Sequence, residues 1–194
     1  MAYKDADIIT KFMAYTRSLG TDDFVRSMLL CFGAPTIAGL KAATLINFRR
    51  YPHEDMRSPL LAHADEWLAP LNVRWLLLGE HCLVLIYRRE LLARALGCSE
   101  ACSILAEHGY PLHDVDACLE CLKRKFSDGL PHEVGLFLDY PPDDVRGFIE
   151  NRAAKKLSCP CYWKVYGDVQ AARQKFLLYR KAECEAARRL LAGE

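Results

Sequence analysis

Three short stretches of the chain carry residue types able to do chemistry at close quarters. The first is His132-Glu133, at the head of the segment PHEVGLFLDYPPDDVRGFI, residues 131–149. Histidine titrates near neutrality and a buried carboxylate can be pushed toward it, so the pair offers a general acid and base. At a helix start the same pair also reads as a dipole-complementing glutamate with a capping histidine. The second stretch is Cys159-Pro160-Cys161-Tyr162-Trp163-Lys164-Val165-Tyr166. Two thiols one residue apart, behind Lys155-Lys156, suit a soft metal or redox chemistry. They lack the Cys-x-x-Cys spacing usual for zinc. Lys164, flanked by Trp163 and Tyr166, could bind an anion or stack on a ring, although strand alternation would put it on the solvent face. The third is Pro35-Thr36-Ile37-Ala38-Gly39-Leu40-Lys41, a glycine-containing turn of the kind that presents backbone N–H groups to a ligand.

The candidate site residues are therefore His132 and Glu133 for catalysis; Thr36, Lys41, Tyr140, Trp163, Lys164 and Tyr166 for ligand binding; and Cys159 and Cys161 for metal. Cys98, Cys102, Cys118 and Cys121 form two further pairs with a superficial zinc-ribbon layout. All four fall in predicted helices with no glycine to make a knuckle, so buried core is the better reading. Arg88 and Arg89 close a strand and read as a solvated end. The familiar catalytic signatures are absent: no nucleophile elbow, no Gly-x-Gly-x-x-Gly, no phosphate loop and no His-Glu-x-x-His.

Residues 131–149 also lay onto a helix-turn-helix. Val134 and Leu138 would be first-helix core, Gly135 the point of helix contact, Tyr140 the turn residue, and Val145 and Phe148 the inward face of the second helix. The charge is wrong for DNA. From His132 to Lys156 there are five acids and four bases, and Asp143 and Asp144 would stand where phosphates must approach. A packed helical hairpin capped by Asp143 is the plainer reading.

These residues need elements to hold them. Ile8, Phe12, Tyr15 and Leu19 recur at helical spacing, and Thr21 is a plausible cap for a second helix that runs to Leu30 before the Gly33-Ala34-Pro35 break. Ser58-Pro59 predicts another helix start, ended by Pro70. Val73–Leu78 and Cys82–Tyr87 are apolar runs around Gly79-Glu80-His81, which predicts a hairpin covered on both faces. Helices follow over about 89–96, 99–108, 114–126 behind an Asp114 cap, 131–138 and 142–151. The last runs from Asp168, with Val169, Ala172, Phe176, Tyr179, Ala186 and Leu190 on one stripe. The expected fold is α+β: a small antiparallel or mixed sheet, from the hairpin at 73–87 plus strands near 43–49 and 162–166, packed by about eight helices.

Composition bounds the function. The 194 residues include 26 basic and 25 acidic side chains, a net of +1, so no global field recruits nucleic acid or an anionic membrane. With 52% apolar residues and no linker or repeat, one globular domain over 1–194 is expected. The opening stretch MAYKDADIITKF lacks a signal-peptide layout, and no apolar run approaches a membrane span, so a soluble cytoplasmic protein is expected. In that compartment the nine cysteines are thiols rather than disulfides.

The segments APTIAGLKAATLINF, HEVGLFLDYPPDDVRGFI and CYWKVYGD, with a terminal helix bearing Phe176, Tyr179 and Cys184, resemble an uncharacterised bacterial domain-of-unknown-function family common in anaerobes. In that family a glycine usually stands where this chain has Asp139. The resemblance implies no established activity. It implies that the three segments converge on one site, and that an anaerobe's cytosol tolerates nine free thiols. The leading expectation is a cytosolic accessory protein binding a small ligand, metal or redox cofactor where the 36–41 turn, the His132/Glu133 helix start and the 159–166 segment meet. The alternatives are a helix-turn-helix regulator using 131–151 and a protein-interaction module using the C-terminal helix. Ligand, cofactor, reaction and oligomeric state stay open.

Overall fold

The structure, a computed structural model, describes residues 2–48, 55–79, 82–153 and 162–193. Cys159 and Cys161 lie outside the described residues. Ten helices and a three-stranded sheet follow in the order α1 (Ala2–Thr16), α2 (Thr21–Phe32), α3 (Ala34–Ile37), β1 (Ala43–Asn47), α4 (Arg57–Leu68), a 3-10 turn (Ala69–Leu71), β2 (Arg74–Leu78), β3 (Leu83–Tyr87), α5 (Arg89–Leu96), α6 (Ser99–Glu107), α7 (Val115–Lys125), α8 (Val134–Phe137), α9 (Pro142–Ile149) and α10 (Val169–Ala192). The fold is α+β. Among the described residues no helix is long and apolar enough to cross a membrane.

The sheet is antiparallel with β3 in the centre, in the order β1-β3-β2. Ala43 pairs with Tyr87 and Asn47 with Leu83 on one side; Arg74 pairs with Tyr87 and Leu78 with Leu83 on the other. Alternation along β3 sends its side chains into two cores. Leu85 and Tyr87 join the cluster built by α5–α9, while Val84 and Ile86 join Phe12, Phe24, Met28, Leu29 and Leu60 beneath α1, α2 and α4. Both faces are covered, which explains the unbroken apolar run of β3. A third, smaller core of Trp163, Val165, Ala172, Phe176 and Tyr179 gathers on α10.

The strand expected over 162–166 is not formed. The segment is bent, with Val165 an isolated bridge residue. The reason is Asp144, whose Oδ1 accepts the backbone N–H of Tyr166 and of Gly167, both at 2.6 Å, while Oδ2 accepts Trp163 Nε1–H at 2.7 Å. Amides spent on a carboxylate are unavailable to a strand neighbour. Asp144 is buried, not presented to phosphates, and Asp143 makes no cap bond to α9.

Asp114 caps α7 as expected, and Asp168, the expected start of the last helix, caps α10; each accepts from the amides two and three residues on. Thr21 does not cap α2, which starts behind Gly20 without a side-chain cap. At α4 the expected Ser58 cap gives way to Asp55, whose carboxylate accepts from the amides of Arg57 and Ser58 and from the Ser58 hydroxyl. α8 is a single turn, shorter than the helix expected over 131–138. Gly135 does sit at the α8–α9 contact: a Cβ there would meet Val145 Cγ2 at 2.8 Å and Tyr140 Cδ2 at 3.0 Å. Phe148, expected to face inward, is 38% exposed.

Candidate functional site

Lys41 lies in the loop from α3 to β1, and that loop is clamped. Arg88, expected at a solvated end, is half-buried, and its Nε–H donates to the Thr36 carbonyl at 2.8 Å. Its Nη2 donates to the carbonyls of Ile37 and, at 3.2 Å, Leu71. The buried Thr36 hydroxyl meets the Thr44 hydroxyl at 2.9 Å, tying the turn to the first strand. The turn's own amides are committed internally: Ala38, Gly39 and Leu40 donate to the carbonyls of Ala34, Thr36 and Pro35. The 36–41 turn therefore offers a side chain rather than a backbone nest.

That side chain is Lys41, only 5% exposed. Its Nζ stands over three tyrosine rings, 5.4 Å from the centre of Tyr140, 5.6 Å from Tyr179 and 6.0 Å from Tyr162. Electron-rich ring faces attract a cation, and the attraction strengthens where water is excluded. The rings come from separate parts of the fold. Tyr179 is on the inward stripe of α10. Tyr140 follows Asp139, whose φ of 59° turns the chain between α8 and α9. Aspartate is among the few non-glycine residues that occupy this region readily. Tyr162 opens the segment anchored by Asp144, and its carbonyl accepts the Tyr140 hydroxyl at 3.2 Å. Trp163 supports the group from behind, stacked on Tyr140 at 4.6 Å and edge-on to Phe176 at 4.4 Å.

Glu183, one turn beyond Tyr179 on α10, is buried in the same region and paired with Arg180 at 3.4 Å. Burial pushes the Lys41 ammonium down from 10.5 to about 8, against the carboxylates of Glu183 and Asp139, which hold it up, and with Lys175, which lowers it further. Burial pushes Glu183 the opposite way, upward, opposed by the Tyr162 hydroxyl, Arg180 and Lys41. Tyr162 and Tyr179 are raised by burial and by nearby carboxylates, Glu183 for the first and Asp139 for the second. The Tyr162 hydroxyl lies close enough to Glu183 for each to shift the titration of the other. Both it and the Tyr179 hydroxyl are shut off from solvent with no hydrogen-bond partner among the described residues. Orphaned buried hydroxyls are uncommon and each costs about 1–3 kcal/mol. Both stand beside one buried lysine, whose Nζ lies over the two rings.

The other candidates stand elsewhere. Glu133 is buried, accepting the Tyr110 hydroxyl at 3.0 Å, with Lys125 at 3.6 Å and over the Tyr110 ring. His132 is exposed and edge-on to Phe148, with ring centres 5.0 Å apart. Lys164 is exposed and sits over the same Phe148 ring at 5.4 Å. Tyr166 packs on Gly147, where a Cβ would come within 2.5 Å of its ring. So the structure brings together Lys41, Tyr140 and Trp163, with Thr36 as support, and gives His132, Glu133, Lys164 and Tyr166 other partners.

Cys98, Cys102, Cys118 and Cys121 each direct Sγ–H to a backbone carbonyl, those of Ala95, Leu96, Pro111 and Gly109. Burial pushes the Cys118 thiol up to about 11, away from the thiolate a metal needs. No group of three or more metal-ligating side chains occurs among the described residues. Two open depressions flank β2, one along Asp65, Asn72, Arg74 and Trp75, the other along Arg57, Leu61 and Lys123. In the first, the polar groups of Trp75 and Asp65 are already paired at 2.7 Å.

Sequence reasoning missed Tyr162, Tyr179 and Glu183 as site residues. A signal existed for Glu183: it continues the inward series Ala172, Phe176, Tyr179, so a charged residue falls on a buried stripe.

No curated protein and no solved structure matches the chain. A family model described as "Protein of unknown function (DUF3793)" matches residues 29–194, a span that includes Lys41, Tyr140, Tyr162, Tyr179 and Glu183. The chain belongs to the DUF3793 family.

Proposed function

We propose that this protein binds a small oxyanion-bearing molecule, a short carboxylate or phosphate, beside Lys41. The observation that carries the reading is the convergence of a buried ammonium and two buried tyrosine hydroxyls that have no hydrogen-bond partner among the described residues. All three are donors, and an acceptor-rich ligand relieves all of them. Asp139, Tyr140, Tyr162 and Lys175 are partly exposed and mark the side from which a ligand would enter. A resident cation over aromatic rings also rewards a flat or apolar body attached to the anion. We place the protein in the bacterial cytosol, in keeping with thiols packed as thiols.

The test is the melting temperature of the full chain with acetate, lactate and phosphate, beside the Lys41→Met variant. The reading expects at least one anion to raise the melting temperature of the native chain and not that of Lys41→Met. Equal responses from both chains, or none, would contradict it.

The partner-binding alternative has one observation in its favour: Leu177 and Leu178 are adjacent on α10 and 61% and 51% exposed. The DNA-binding alternative has less. Asp144 is consumed internally, and Arg146 is engaged by Glu107 at 3.0 and 3.2 Å.

A further inference from the structure

We propose that Lys41 is a nucleophile that captures a 2-oxo acid as an imine, with the Tyr162 and Tyr179 hydroxyls receiving the acid's carboxylate and Glu183 moving the proton. This rests on the oxyanion-binding reading above and deepens it by assigning the ligand class.

The geometry supplies what such a step requires. The nucleophile is held in place, because the segment leading to it is fixed by two Arg88 contacts, to the Thr36 and Ile37 carbonyls, and by the Thr36–Thr44 bond. It stands on the ring faces rather than in an ion pair: no described carboxylate lies within 4.0 Å of Nζ. A lysine locked to a carboxylate would stay protonated and inert, whereas a desolvated one is activated. The pushed-down ammonium, at about 8, leaves roughly a tenth of the amine neutral at pH 7, where an ordinary lysine leaves well under a thousandth. Glu183 stands on α10 in the same buried region, and burial shifts its carboxyl upward, toward holding a proton, against the pull of the Tyr162 hydroxyl, Arg180 and Lys41.

The chemistry balances without a further reactant. The neutral Nζ attacks the 2-oxo carbon, the C–N bond forms, and the carbonyl electron pair moves to oxygen. Net transfer of one proton from nitrogen to that oxygen gives the carbinolamine. Glu183 then protonates the hydroxyl, the C–O bond breaks, and water departs as the nitrogen lone pair closes the C=N bond. The product is the protonated imine and the Glu183 carboxylate; return of the iminium proton to Glu183 restores the acid. One water is released, and nothing is oxidised or reduced. The carboxylate next to the reacting carbon is what distinguishes a 2-oxo acid from a simple aldehyde, and the two orphaned hydroxyls are the donors it would meet.

Among the described residues, the charged and titratable groups turned toward Lys41 are Glu183, Lys175 and Tyr179 from α10, Asp139 and Tyr140 from the α8–α9 turn, and Tyr162 from the segment before α10. Capture should therefore accelerate with pH, with a midpoint near 8.

The experiment is reductive trapping of the full chain with pyruvate and sodium cyanoborohydride, followed by peptide mapping. The proposal expects N-(1-carboxyethyl)lysine at position 41 at least tenfold in excess of any other lysine, with excess lactate suppressing it. Label confined to exposed lysines such as Lys164 and Lys181 would overturn the proposal. If lactate and pyruvate both raise the melting temperature yet Lys41 is never trapped, imine formation fails while oxyanion binding survives. If neither anion acts and nothing is trapped, both readings fail. Because Lys41→Met could alter folding, the lactate competition on the native chain is the decisive control. Glu183→Gln should slow trapping more than tenfold without abolishing the lactate-induced rise in melting temperature.

Discussion

Lys41 stands over the face of Tyr179, its Nζ 5.6 Å from the ring centre, although one residue comes from the loop before the first strand and the other from the last helix. The contact joins segments far apart in sequence, beside the buried hydroxyls of Tyr162 and Tyr179. Burying an ammonium there opposes folding unless something is gained, and the rings return only part of the cost.

Lys41→Met should therefore stabilise the protein at neutral pH. A buried amine displaced from 10.5 to about 8 opposes folding by at most about 3 kcal/mol at pH 7, less what the tyrosine faces return. Between pH 8 and 10.5 the unfolded chain binds the proton that the folded chain has released, so native stability rises with pH through this window. The advantage of Lys41→Met should shrink accordingly. Urea denaturation of both chains at pH 7 and pH 10 reads the difference directly.

Glu183→Gln should flatten the acid side of the stability profile. The folded-state carboxyl titrates above its ordinary value of 4.5, so the native chain holds a proton that the unfolded chain loses. Stability from this group is complete below pH 4.5 and falls as pH rises through the folded-state titration. The glutamine variant carries no such dependence. A native chain that gained stability from pH 4.5 to 7 through this residue would show the sign to be wrong.

Asp139→Gly should be tolerated or mildly stabilising, because the backbone there is at φ 59°, where glycine carries no steric penalty. It also removes a carboxylate that holds the Lys41 midpoint up and that lies 4.0 Å from Lys175. The Lys41 midpoint should fall in Asp139→Gly and rise in Lys175→Met, and NMR titration of the lysine side chains distinguishes the two directions.

Asp144→Ala should cost on the order of 3 kcal/mol, since it strands the Trp163 indole N–H and two backbone amides at once. Trp163 would lose the bond that seats it beside Tyr140, so its fluorescence should shift to the red before global unfolding. An unchanged emission maximum would mean that the 162–167 segment is held by something else.

The sheet and most helices were legible because their signals are local. The apolar runs on either side of Gly79, the Asp114 and Asp168 caps and the close approach at Gly135 each depend on neighbours in sequence. The 162–166 segment was not, because its β-prone aromatics are overruled by one carboxylate on α9. The site was legible in part. Sequence adjacency set Lys164 among aromatics, yet it lies in the open over Phe148, while the lysine buried among three tyrosine rings is Lys41. Lys41 meets its tyrosines only through long-range packing, and Glu183 reads as a solvated helix residue until the stripe it interrupts is traced.

The most direct measurement is the NMR titration of the Lys41 side chain in the full protein, without and with lactate as an unreactive oxyanion. The account predicts a midpoint near 8 in the free protein and a higher one with lactate, because a bound anion favours the ammonium. A midpoint near 10.5 that lactate leaves in place would contradict it.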